Sequence, residues 1–159
     1  QMDQIPSEPV ILEVHELVGK TVDVLGPVGA DKNVRVESKV NADVHAFADT
    51  HMVDTVIRNL TSNAIKFTAA EGTVTIDGRN QDGVCEISVS DTGVGMTPEQ
   101  VDKLFSIGDK NSTKGTGGES GTGLGLLLCK DLLEKCNGSM VVQSKPGKGS
   151  TFTITLPVG

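Results

Sequence analysis

The stretch RNLTSNAIKF, residues 58–67, sets two amide side chains, Asn59 and Asn63, and a cation, Lys66, into an otherwise apolar helical pattern. Residues four and seven apart share one face of an α-helix, so both carboxamides and the ammonium point the same way. Beside them Val53, Val56, Ile57, Leu60, Ala64 and Phe67 form an apolar stripe, which predicts a core-facing helix from Thr50 to about Phe67. A carboxamide oxygen is a hard, neutral ligand suited to Mg²⁺, and a lysine beside it neutralises phosphate charge. A solvated polar helix face is the other reading, and this segment alone leaves both open.

Downstream, TVTIDGRN (73–80) and VCEISVSD (84–91) are β-rich and separated by Gln81, Asp82 and Gly83, which predicts an antiparallel hairpin. The second strand ends in Asp91, followed by Gly93 and Gly95, where a ligand can approach the backbone closely. A carboxylate there can accept a hydrogen bond from an exocyclic amine such as that of adenine; an Asx turn is the alternative. Thr97, Pro98 and Glu99 have the order of a helix start leading to Leu104. Residues 105–120 carry four glycines and no apolar period, the composition of a mobile loop. A helix then runs from about Gly123 to Cys136, closed by Asn137 and Gly138. Gly121, Gly123 and Gly125 open it, and amides freed of Cβ bulk at a helix N-terminus suit phosphate. Residues 139–145 and 150–157, joined by Pro146-Gly147-Lys148-Gly149, read as a terminal hairpin.

Upstream, Val14, Leu17, Val18, Val22 and Leu25 recur at helical spacing until Gly26 and Pro27, and VRVESKV (34–40) alternates like a strand. Residues 1–9, with two prolines and no period, read as a linker, leaving one domain over 10–159. Helices interspersed with hairpins predict an α+β fold in two layers, with helices on one face of a mixed, mostly antiparallel sheet. The net charge of −7 argues against nucleic-acid binding, and the absence of Trp and Tyr removes stacking platforms for bases. No apolar run is long enough to span a bilayer, so membrane insertion of this domain is not expected. Residues 1–7 lack the features of a secretory signal. Cys85, Cys129 and Cys136 are odd in number with no CxxC pair and read as core thiols in a reducing compartment.

Taken in order, NLTSNAIKF, DTGVGM, LFSIG and GTGLGL resemble the N, G1, F and G2 boxes of sensor histidine kinases. Their catalytic domains have the Bergerat-type ATP-binding fold shared with gyrase, Hsp90 and MutL. The resemblance spans nearly the whole chain and implies ATP and Mg²⁺ as cofactors. It implies Asn63 as metal ligand with Asn59 assisting, Lys66 at phosphate, Phe67 flanking the nucleotide, and Asp91 on the adenine amine. Gly93 and Gly95 would leave room for the ring, with Met96 and Leu104 as its apolar wall. Gly121, Thr122, Gly123, Leu124, Gly125 and Leu126 would surround the phosphates. It further implies bacterial two-component signalling from the cytoplasm, with anchoring of the full-length protein left open.

Hydrolytic and serine-directed relatives carry a Glu one turn before the metal Asn as general base. Here that position is Asn59, which takes no proton, and this favours an imidazole acceptor over water. An ATPase or serine-directed kinase, or a regulatory module without catalysis, are the alternatives. His15, His45 and His51 do not fit an acceptor box, so the acceptor is expected on an upstream helical hairpin that also dimerises. A monomer is expected for this domain, with a receiver domain of a response regulator as indirect partner. Relatives often carry a lid arginine; residues 105–120 have none, and Lys110 or Lys114 is the substitute considered.

Overall fold

A computed structural model of the chain describes residues 6–104 and 124–159. In chain order the elements are β1 (Pro9–Glu13), α1 (Val14–Ala30), β2 (Arg35–Ser38), β3 (His45–Asp49), α2 (Thr50–Lys66), β4 (Thr73–Gln81) and β5 (Val84–Asp91). They continue with α3 (Pro98–Asp102), α4 (Leu124–Lys135), β6 (Ser139–Ser144) and β7 (Ser150–Pro157). Five strands form one sheet in the order β2-β4-β5-β7-β6, and β1 pairs with β3 in a separate ribbon. Only β2 with β4 is parallel among these pairings, so the expected mixed, mostly antiparallel sheet is present.

Strand alternation builds the two layers. Val74 and Ile76 of β4, Cys85, Ile87 and Val89 of β5, and Phe152, Ile154 and Leu156 of β7 are all buried, while their neighbours Thr75, Ser88, Ser90, Thr153 and Thr155 are half-exposed on the other face. On the apolar side α2 packs against β4 and β5, with α1 and α4 beside it. Val53, Val56, Ile57 and Leu60 of α2 are buried in the same core. All three cysteines are buried there as free thiols, and burial pushes Cys85 up to about 11 and Cys129 up to about 12.

The β4–β5 hairpin turns on Asp82 (φ 55°) and Gly83 (φ 81°), two consecutive positive φ values matching the right-handed twist of the strands. This places Asp91 on the same face as Val89 and Ile87, toward the helices. Thr97 caps α3, its side chain accepting from the Gln100 amide while Gln100 reaches back to the Thr97 amide.

Two expectations change. Gly26 and Pro27 do not stop α1, which runs to Ala30 with Pro27 inside it. Proline removes one N–H, but its own carbonyl still accepts from the Asp31 amide at 3.0 Å, so the last turn closes past it. The linker boundary also moves, because Pro9 is already the first residue of β1, opposite Asp49. Residues 1–5 of that linker, and the loop over 105–120, lie outside the described residues.

Candidate functional site

Asp49 starts α2: one carboxylate oxygen accepts from the Met52 amide at 3.0 Å and the other from the Glu8 amide at 2.9 Å. Three turns on, the amide of Asn59 donates from Nδ2 to the Thr55 carbonyl at 2.9 Å, which fixes the plane of the carboxamide. That oxygen faces α4. A Cβ built at Gly125 would lie 3.2 Å from it, so glycine lets the first turn of α4 approach Asn59 closely. Asn63 is half-buried one turn later, and among the described residues its side chain makes no hydrogen bond. The Lys66 ammonium stands 5.4 Å from the centroid of the Phe67 ring.

Asp91 ends β5 half-buried. Its Oδ1 accepts from the Gly93 amide at 2.8 Å and from the Ser150 amide at 3.3 Å, leaving Oδ2 without a partner among the described residues. Burial pushes its carboxyl above the ordinary value, opposed by those two N–H groups. The loop after Asp91 is clamped on two sides. On one, the Val94 amide donates to the Phe67 carbonyl at 3.2 Å. On the other, the Met96 amide donates to Ser144 Oγ at 2.8 Å, and the Val94 carbonyl accepts from the Gly147 amide at 2.7 Å.

The two glycines belong to this clamp. A Cβ at Gly93 would overlap the Phe67 carbonyl oxygen, and one at Gly95, held at φ +69°, would overlap the Lys145 carbonyl. Their requirement is therefore set by backbone packing within the protein, in addition to any room left for a ring.

The fold thus joins the end of α2, the loop after β5 and the start of α4 along one seam. Met96 and Leu104 are partly buried against the core beside it. Leu126, expected alongside phosphate, is 7% exposed and packs into the core. Leu124 opens α4, while Lys110, Gly121, Thr122 and Gly123 lie outside the described residues. Open grooves of about 590 Å³ beside α3, Lys145 and Lys148 and of about 560 Å³ on the polar sheet face include neither Asn63 nor Asp91.

Sequence reading missed Ser144 and Ser150, whose partners sit 48 and 59 residues away, and the capping role of Asp49. Asp49 had a local signal, an acid directly before the helical period.

Residues 48–159 match the family described as histidine kinase-, DNA gyrase B-, and HSP90-like ATPase, and the chain belongs to that family. Within it, this is an ATP-binding catalytic domain of the sensor histidine kinase type. The chain is 32% identical over 149 residues to the sensor-like histidine kinase SenX3 of Mycobacterium tuberculosis, an alignment covering 92% of this chain and 36% of SenX3. The catalytic domain of histidine kinase ThkA superposes with a TM-score of 0.80 at 22% identity, covering 94% of this chain and 95% of that one, and shows the same fold. Full-length ShkA in complex with AMPPNP gives a TM-score of 0.80 at 25% identity, covering 96% of this chain and 32% of that one. The chain spans about a third of the length of SenX3 and of ShkA.

Proposed function

We propose that this chain binds Mg-ATP in the seam between α2, the loop after β5 and the start of α4. It then supplies the γ-phosphoryl group to a histidine on a separate, upstream helical hairpin. The observation that carries this reading is Asp91: a carboxylate on the helix-facing side of the sheet, with Oδ1 engaged by two backbone amides and Oδ2, without a partner among the described residues, available to an exocyclic amine. AMPPNP, present with ShkA, is an ATP analogue and is consistent with such a ligand.

The residues present fit the nucleotide. Asn63, half-buried with a carboxamide unengaged among the described residues, would hold Mg²⁺ together with phosphate oxygens and water, with Asn59 one turn earlier. Bound there, the ion would neutralise charge on the phosphates. Lys66 would meet phosphate and Phe67 would flank the base. Met96 and Leu104, partly buried beside the Asp91 loop, would form the apolar wall. Lys110, Gly121, Thr122 and Gly123 complete the phosphate side of the proposal. Positioning and charge neutralisation are the main work in phosphoryl transfer, since the incoming nitrogen lone pair needs no strong base.

Asn59 holds its Nδ2 on the Thr55 carbonyl and accepts no proton, which leaves water unassisted as a nucleophile. In the transfer, the γ-phosphorus gains a bond to the imidazole nitrogen and loses its bond to the bridging oxygen, which leaves on ADP. His15 and His51 are exposed on helices and His45 is half-buried in β3, so none of them lies in the seam. A response regulator would receive the group in turn.

Calorimetric titration of Asn63→Ala and of Asp91→Ala tests the site. Both are expected to lose Mg-ATP binding while keeping wild-type circular dichroism, and unchanged affinity in both variants would sink the reading.

A further inference from the structure

Beyond the residues that would touch the nucleotide, we infer that Lys32 is a positioning residue for the phosphate side of the site. This inference rests on the reading of the site as one for Mg-ATP. Lys32 lies in the turn after α1, and its ammonium donates to the Ile65 carbonyl at 3.1 Å and to the Lys66 carbonyl at 2.8 Å. These are the last carbonyls of α2, the turn that carries Asn63 and Lys66. Phe67 caps the helix at φ −98°, so no left-handed cap forms; the Thr68 amide turns back to the Ile65 carbonyl at 3.2 Å, and Lys32 adds a charged donor to Ile65 and Lys66.

The turn that holds Lys32 is itself fastened. Asn33 takes φ 60° and its carbonyl accepts from the Glu71 amide at 2.8 Å, while the Arg35 amide donates to the Gly72 carbonyl at 3.0 Å. The ammonium is therefore delivered by a rigid turn.

The electrostatic consequence is specific. The C-terminus of a helix carries about half a negative charge, which repels an anion placed beside it. A polyphosphate drawn to Lys66 would sit next to that charge. Lys32 offsets it and keeps the carbonyls directed away from the ligand, so its effect grows with the charge of the ligand.

The test titrates wild type, Lys32→Met and Lys32→Arg with adenosine, ADP and Mg-ATP, alongside thermal melting. Lys32→Met is expected to bind Mg-ATP about tenfold more weakly, ADP less affected, and adenosine as wild type. Lys32→Arg, which keeps charge and donors, is expected to restore most of the loss. Unchanged Mg-ATP affinity in Lys32→Met, or an equal loss for adenosine, would overturn the inference. Should Lys32→Met not fold, Lys32→Gln, neutral but still able to donate, makes the same comparison. Failure of the wild type to bind Mg-ATP would instead remove the site reading, and is seen without any variant.

Discussion

The C-terminus of α4 and that of α2 end two helices of the same layer by different means. At α4, Asn137 takes φ 58°, its amide donates to the Glu134 carbonyl at 3.1 Å, and the Gly138 amide donates to the Leu133 carbonyl at 2.7 Å. That pair of bonds closes the helix with its own backbone. At α2 the local bonds, from the Phe67 amide to Asn63 at 3.1 Å, the Thr68 amide to Ile65 at 3.2 Å and the Thr68 hydroxyl to Ala64 at 2.6 Å, are joined by donors from elsewhere: Lys32 to Ile65 and Lys66, and the Val94 amide to Phe67. The end that only needs to stop is closed locally. The end that carries Asn63 and Lys66 is held in addition by the elements it must be aligned with, so part of its cap also aligns the site.

The sharpest way to break this comparison is Gly93→Ala. Its Cβ would overlap the Phe67 carbonyl and lie 2.8 Å from an Asp91 oxygen, so either the loop or the end of α2 must shift. A loss of about 2–4 kcal/mol in urea unfolding is expected, accompanied by loss of nucleotide binding. Nearly wild-type stability and affinity would mean that the loop and the helix end are not coupled.

Asn137→Ala probes the other end. A non-glycine residue without Asn's tolerance of positive φ should cost about 1 kcal/mol, and Asn137→Gly should recover it. Mg-ATP affinity should stay at the wild-type value in both, and a parallel loss of affinity would contradict the separation drawn between the two ends.

The smallest expected effect on stability has the opposite sign. Because the folded-state carboxyl of Asp91 is raised, its contribution to stability is fully present below the unfolded value and is lost as pH rises through the folded one. At neutral pH the buried charge therefore costs stability, and Asp91→Asn should melt at the same or a slightly higher temperature. Nucleotide affinity should nevertheless fall in that variant. In the wild type, affinity should fall as pH drops through the raised value, since protonation removes an acceptor. A melting temperature lowered by several degrees at pH 7 would show that Asp91 serves the fold more than the ligand.

Much of the frame was legible because its signals are local. Asp82-Gly83 fixes the hairpin register through two positive φ values, and that register puts Asp91 on the helix side of the sheet. Pro27 was misleading, since proline near a helix end removes a single bond and the carbonyls around it found later donors. The spacing of glycines shows where a backbone can come close, but that Gly125 meets Asn59 and Leu126 is buried depends on how α4 packs against α2.

From the sequence by itself came the α+β layering, the order of the motifs and the self-closing end of α4, because period, turn chemistry and an Asn-Gly cap act over a few residues. Only the tertiary structure brought Lys32 to carbonyls 33 and 34 residues away, Ser150 to Asp91 across 59, and Asn59 against Gly125. Those contacts leave no periodic trace, since a donor reaching across the fold is constrained by where the backbones meet and not by its neighbours in the chain.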